Sequence, residues 1–169
     1  LVCFSIFVMV SCATHSNITP SISNDTLTVI ERIREAVILI TVSPNTTLEE
    51  NPKENAMCTG AIVESQYVIT NFHCIYKQKY IKAYFWNKDD WNVYDVEIIG
   101  EDPLADLALL KILNKKTVVP HLKFFKGEIT VGEEVFAMGH PMGMAWTLTK
   151  GIISSNDRYA RHPYVKAVQ

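Results

Sequence analysis

The sequence lacks the motifs that hold most cofactors. It contains no glycine-rich phosphate loop, no His-Glu-x-x-His helix motif and no paired Cys-x-x-Cys. Its 16 basic and 18 acidic residues give a net charge of −2, so no basic excess indicates nucleic-acid binding. With 48% hydrophobic and 20% charged residues, the 169-residue chain has the composition of a globular protein. We expect no metal, no nucleotide cofactor and no nucleic-acid partner.

The sequence also lacks an apolar run long enough to span a bilayer as a helix. The longest candidate, residues 1–11, is too short, but it fits the h-region of a secretory signal. Cys12 follows Met9-Val10-Ser11 in a pattern similar to a bacterial lipobox, which predicts a lipid anchor at Cys12. An ordinary signal peptide cut near Ala13, or a truncated membrane anchor, remains open. We expect export, either to the periplasm, as a membrane-anchored lipoprotein, or by secretion.

One stretch, from Cys58 to Cys74, combines two predicted strands with a histidine. Thr59–Val63 and Tyr67–Thr70 are rich in β-formers and flank the polar turn Glu64-Ser65-Gln66. His73 lies just beyond the second strand, where a histidine is well placed to act as a general base. A structural role for this histidine is the alternative.

An acidic residue, Asp106, directly precedes the continuous apolar run Leu107–Ile112. Such a run is typical of a buried strand, and a carboxylate at its mouth needs a partner because an unpaired buried charge is costly. An imidazole N–H is a suitable donor, and this bond would leave the other ring nitrogen free as a base. Alternatively, Asp106 caps a turn after Asp102-Pro103.

The remaining periodicity predicts an all-β fold with a short helix at residues 27–34. Between Ala36 and Ile112 the pattern supplies about six strands, enough to close a small barrel, with a hairpin turn at residues 87–90. Residues 131–138, 146–153 and 164–168 then predict three further strands. Three strands cannot close a second barrel and would leave an unpaired edge.

Three motifs together resemble the HtrA/Deg-type, trypsin-like serine proteases. Ile69-Thr70-Asn71-Phe72-His73 is similar to that family's L-T-N-x-H element, and Asp106–Lys111 to its D-L-A-[VL]-L-K element. Gly132–Gly143, followed by Thr147–Ser154, resembles the opening of its second barrel. The resemblance implies two six-stranded antiparallel β-barrels of the chymotrypsin type, the second incomplete here.

The resemblance also implies a peptidase that uses a Ser-His-Asp triad. His73 would be the base, Asp106 would orient it, and the nucleophile would be a serine in a glycine-flanked loop. None of the seven glycines here is adjacent to a serine, so we expect a C-terminally truncated fragment whose nucleophile lies beyond Gln169. A cysteine nucleophile on the same fold, or an inactive protease-like binding module, stays open.

Further expectations follow from this resemblance. Cys58 and Cys74 match a disulfide of chymotrypsin-type proteases, although two reduced thiols are the alternative and typical HtrA relatives lack the pair. His140 stands where HtrA relatives usually carry asparagine, and we interpret it as a loop residue. The predicted domains are an export segment and linker (1–26), a first barrel (27–120) and the start of a second (121–169). Expected partners are unfolded or misfolded polypeptides, and a homotrimer is the assembly that the family suggests.

Overall fold

The computed structural model describes residues 8–11, 24–44, 56–64, 66–86, 90–113, 120–141, 144–156, 158–159 and 166–167. Strands dominate it, as the sequence predicts, and two helices accompany them. No helix in these ranges is both long and apolar enough to cross a membrane.

Six antiparallel strands close into a barrel in the order β2-β3-β4-β7-β6-β5. This barrel confirms the predicted first barrel and its strand number. Its strands are β2 Val37–Ser43, β3 Ala56–Val63, β4 Tyr67–Thr70, β5 Tyr80–Trp86, β6 Trp91–Asp102 and β7 Leu107–Ile112. In a closed barrel every strand has two neighbours, so the barrel has no open edge.

Branched aliphatic side chains fill the interior of this barrel. Ile40, Ile62, Val68 and Leu110 are fully buried in one cluster. Removing each of them from water stabilises the fold by roughly 1.5–3 kcal/mol. Gly60 lets the walls approach, since a Cβ there would lie 2.7 Å from a methyl group of Val68.

The helix α1, Asn24–Ala36, leads into β2 and is longer at both ends than predicted. Its Ile33 is buried with Val37 and Met138, so the helix packs against both the barrel and β8, Glu134–Gly139. The guanidinium of Arg34 lies 4.7 Å from the ring centroid of Trp146. The helix thus contacts both halves of the described chain.

A second, open sheet has the order β1-β8-β9, with β1 at Val8–Ser11 and β9 at Thr147–Ile152. The strand β1 is unexpected, because the predicted h-region of an export signal covers it. Its backbone pairs with the edge of β8, and edge strands have unpaired groups that favour such pairing. The export interpretation itself stays a prediction, and Cys12, the predicted lipid anchor, lies outside the described residues.

Two short strands end the described chain. Residues Arg158–Tyr159 form β10 and pair with β11, Lys166–Ala167, which falls inside the third predicted strand of the second half. The strand β8 begins three residues later than predicted, because Val131 and Gly132 form a turn in which Gly132 has a φ of +93°. The predicted domain boundaries at residues 26 and 120 stay predictions.

Candidate active site

His73 lies on a single helical turn that follows β4. This turn, α2 at Phe72–Ile75, was not predicted, and Asn71 is its N-cap residue. The end of β4 is fixed by the buried Thr70, whose hydroxyl donates to the carbonyl of Thr59 at 2.8 Å. The histidine is therefore carried at the end of a firmly held barrel strand, as the sequence predicts.

Asp106 ends the turn between β6 and β7. The first carboxylate of that turn, Asp102, accepts the backbone N–H groups of Leu104 and Ala105, each at 3.0 Å. Asp102 therefore stabilises the turn, which the alternative interpretation had assigned to Asp106. The Asp106 carboxylate is directed towards α2 instead.

The barrel register brings the histidine and the aspartate together. The strands β4 and β7 are neighbours, and Thr70 is paired with Ala108. The Nδ1 atom of His73 lies 2.7 Å from Oδ2 of Asp106, and the His73 backbone N–H donates to Oδ1 at 2.8 Å. A carboxylate at Nδ1 favours the tautomer that has its proton on Nδ1. That tautomer leaves Nε2 able to accept a proton.

Both side chains remain open to solvent. The exposed fraction is 38% for the His73 side chain and 39% for Asp106. An incoming group can therefore reach the imidazole. No group of three His, Cys, Asp or Glu residues in the described part of the chain could hold a metal ion.

A disulfide between Cys58 and Cys74 lies directly beside this pair. It joins β3 to α2 across a sequence separation of 16 residues, with its Cα atoms 6.3 Å apart. The predicted disulfide is present, and the alternative of two reduced thiols was wrong for this structure. The Sγ atom of Cys74 is 3.6 Å from Nε2 of His73, so the bond lines one side of the imidazole.

Asn71 belongs to the Ile69–His73 motif, but no role was predicted for it. Its Nδ2 atom lies 3.2 Å from Oδ2 of Asp106 and 3.3 Å from the Asp106 carbonyl oxygen. The sequence did contain a signal for such a role. Asn71 lies at a strand end, two residues before the candidate catalytic histidine. The sequence alone does not show which way its amide points.

His140 follows β8 outside regular structure, in agreement with its interpretation as a loop residue, yet it is deeply buried. Its backbone N–H donates to the Thr59 hydroxyl at 2.8 Å, which ties the second sheet to the barrel. Neither ring nitrogen has a hydrogen-bond partner among the described residues. Burial lowers the pKa of His140 from 6.5 to about 4, because a charged imidazole would lose its hydration there.

Comparisons with known proteins agree with this geometry. Residues 58–168 match the model of the trypsin-like peptidase domain, which includes the His73 and Asp106 elements. The chain belongs to this family. That match covers the barrel from β3 onwards and the whole of β8 and β9.

The chain is also similar to HtrA-type proteases, which confirms the resemblance found in its motifs. It is 31% identical over 111 residues to the periplasmic serine endoprotease DegP of Salmonella typhimurium, covering 64% of this chain and 23% of that protein. A probable periplasmic DegP-like endoprotease of Brucella suis is 38% identical over 98 residues, covering 57% and 18%. The chain thus spans less than a quarter of the length of these relatives.

A solved HtrA-type protease, AlgW with a tripeptide, superposes with a TM-score of 0.69 at 26% identity. The match covers 83% of this chain and 44% of that one. The likeness confirms the chymotrypsin-like barrel fold and the partial second sheet.

Proposed function

We propose that the chain carries the histidine and aspartate of a serine-type endopeptidase, with His73 as the base and Asp106 as the residue that orients it. The observation that carries the proposal is the 2.7 Å contact between Nδ1 of His73 and Oδ2 of Asp106. Membership of the trypsin-like peptidase family supports it. In this proposal the nucleophilic serine lies beyond Gln169.

The reaction is acyl transfer to water. Nε2 of His73 removes the proton from the serine hydroxyl as that oxygen bonds to the peptide carbonyl carbon. The same proton then passes to the leaving amine as the C–N bond breaks. A water molecule, deprotonated by the same nitrogen, then bonds to the acyl carbon. The bond between that carbon and the serine oxygen breaks, and the proton on Nε2 passes to the serine oxygen. Asp106 stabilises the imidazolium that forms in each step.

The substrates in this proposal are polypeptides, with unfolded or misfolded proteins as the preferred class. A tripeptide was present with the similar AlgW protease, which supports a peptide as the ligand. The similar DegP proteins are periplasmic, which supports export of this chain. Membrane tethering through Cys12 and assembly as a homotrimer stay predictions.

Casein hydrolysis tests this proposal. The longest open reading frame that contains residues 1–169 would be expressed, and cleavage of unfolded casein would be compared between the unchanged protein and the variants His73→Ala and Asp106→Asn. We expect both variants to lose activity by about 10⁴-fold, because they remove the base or its correct tautomer. Cleavage that persists in His73→Ala, or an inactive unchanged protein, would contradict the proposal.

Chemical labelling of the same protein identifies whether its nucleophile is a serine or a cysteine. A fluorophosphonate probe should label one serine in a manner that requires His73. Labelling by iodoacetamide instead would indicate a cysteine nucleophile, provided that Cys3 and Cys12 are first replaced by serine. Labelling by neither reagent would indicate an inactive, protease-like binding module.

A further inference from the structure

The backbone of Asp106 has an unfavourable conformation. Its φ is +55°, in the left-handed region that residues other than glycine seldom occupy. Such a conformation is unfavourable for a residue with a side chain and persists only where neighbouring contacts enforce it. The contacts that hold Asp106 therefore also decide where its carboxylate points.

Two of these contacts come from the backbone of α2. The Phe72 N–H donates to the Asp106 carbonyl oxygen at 3.1 Å, and the His73 N–H donates to Oδ1 at 2.8 Å. Both donors are backbone N–H groups, so neither donor depends on the identity of a side chain in α2. These two contacts hold the turn near α2. Neither of them involves Oδ2, the carboxylate oxygen that faces the imidazole, so a further contact is needed to fix its position.

The side chain of Asn71 makes that additional contact. An asparagine at an N-cap commonly uses its side chain to cap its own helix, but the Asn71 side chain makes no such bond. Its NH₂ group lies within hydrogen-bond distance of the Asp106 carbonyl oxygen (3.3 Å) and of Oδ2 (3.2 Å). With 8% of its surface exposed, the side chain is buried and little screened by water.

We propose that Asn71 is a positioning residue that fixes the Asp106 carboxylate for His73. One amide group links the main chain of Asp106 to its Oδ2 atom, and this link restricts rotation of the carboxylate. Oδ2 then receives two donors, Nδ2 of Asn71 and Nδ1 of His73. Because the amide is neutral, it orients the carboxylate without cancelling the negative charge that His73 requires. The catalytic part of this inference rests on the proposed function.

Nuclear magnetic resonance tests the positioning directly, without any need for activity. The chain has five histidines, so the His73 ring signals would be assigned by comparison with His73→Gln. In the unchanged protein we expect neutral His73 to have its proton mainly on Nδ1, with a slowly exchanging, downfield Nδ1 proton. In Asn71→Leu we expect the fraction protonated at Nδ1 to fall at least twofold and the Nδ1 proton to broaden.

Thr70→Val is the matched control. It also removes one buried side-chain donor, at the adjacent position, but that donor bonds to Thr59 and not to Asp106. Thr70→Val keeps the backbone pairing of Thr70 with Ala108 that places the end of β4 beside β7. The control should therefore lose stability while its His73 tautomer and Nδ1 proton stay unchanged. Unchanged His73 signals in Asn71→Leu, or equal changes in both variants, would overturn the proposal. If Asn71→Leu does not fold, Asn71→Ala provides the same comparison with a smaller side chain.

Kinetics of the longer gene product provide the second measurement. We expect Asn71→Ala to lower kcat by about 10- to 100-fold at nearly constant KM, because a small displacement of a catalytic group has effects of this size. Loss through unfolding alone would instead lower the active fraction and leave the His73 tautomer in folded molecules unchanged. If the unchanged product is not a peptidase, the proposed function fails, while the resonance measurement still decides the role of Asn71.

Discussion

The first barrel and the second sheet are both built from antiparallel strands, but they differ in how completely these strands are paired and buried. Each barrel strand has two hydrogen-bonded neighbours, whereas within the described residues β9 pairs with β8 alone. The barrel interior is fully buried, but most of β9 is exposed to solvent. Both His73 and Asp106 belong to the closed region. The candidate catalytic pair is thus supported by the part of the chain that completes its own hydrogen bonding and core.

Polar contacts between the two regions concentrate around β2 and β3. The His140 N–H donates to Thr59, and the indole N–H of Trp146 donates to the Val37 carbonyl oxygen at 3.2 Å. Thr59 also accepts, through its carbonyl, the bond that fixes Thr70 at the end of β4. The second sheet is therefore linked to the strand that leads to the candidate site, and changes in the two regions should differ in size.

Truncation of one leucine in each region should show the largest difference. Leu110→Ala empties a site in the barrel core that is fully buried, so we expect a loss of about 2–5 kcal/mol in the free energy of unfolding. Leu148→Ala removes the same atoms from β9, where the residue is 37% exposed, and should cost less than about 1 kcal/mol. Urea unfolding followed by circular dichroism measures both. Equal losses would mean that the barrel is not the more stable region.

Removal of the disulfide should come next. The double variant Cys58→Ala/Cys74→Ala opens a loop with a sequence separation of 16 residues, so we expect a loss of about 3 kcal/mol. Unchanged protein treated with dithiothreitol is the control and should reach a similar stability. A double variant within about 0.5 kcal/mol of the oxidised protein would show that the barrel does not depend on this bond.

Glycine substitutions compare how tightly the regions are packed. In Gly60→Ala the new methyl group would lie 2.7 Å from Val68 and 2.9 Å from Ile40, so overpacking should cost about 1–3 kcal/mol. In Gly151→Ala, on β9, the new group would meet nothing within 4 Å. This control should change stability by no more than about 1 kcal/mol. The difference in urea midpoint between the two variants is the measurement, and a neutral Gly60→Ala would contradict the close approach.

The sequence predicts the barrel strands well where a turn or a polar residue marks both ends of an apolar run. Both Tyr67–Thr70 and Leu107–Ile112 have the predicted bounds, because a turn or a polar residue limits each apolar run. The need of a carboxylate for a donor made the His73–Asp106 pairing one of two open interpretations, and the resemblance to HtrA/Deg-type proteases favoured it. In contrast, the direction of the Asn71 amide and the positive φ of Asp106 depend on contacts between residues 35 positions apart. No local pattern encodes them.

The second region was less predictable for a similar reason. Residues 1–11 have the composition of an export signal, and the pairing of Val8–Ser11 depends on the distant edge of β8. His140 was correctly placed in a loop, but its burial was not predicted. Its environment is built by Thr59 and by Trp146, whose ring centroid lies 5.3 Å from the imidazole. Such an environment exists only once both regions are folded.

Acid should lower the stability of the protein through His140, at the junction of the two regions. The folded pKa is about 4, below the ordinary 6.5, so near pH 7 the histidine is mainly neutral in both states and has little effect on the free energy of unfolding. Below pH 6.5 the unfolded chain binds a proton that the folded chain excludes until about pH 4. Between pH 7 and pH 5 this difference in proton binding should lower the free energy of unfolding by about 2 kcal/mol.

The variant His140→Asn isolates this contribution, because it keeps a polar side chain that does not titrate. Its free energy of unfolding should fall by about 1–2 kcal/mol less than that of the unchanged protein between pH 7 and pH 5. The carboxylates that also respond to acid are common to both proteins and cancel in the difference. Parallel pH profiles would show that the imidazole is hydrated or protonated in the folded state. The junction between the second sheet and Thr59 would then be open to water, and the two regions would be less closely packed than the structure shows.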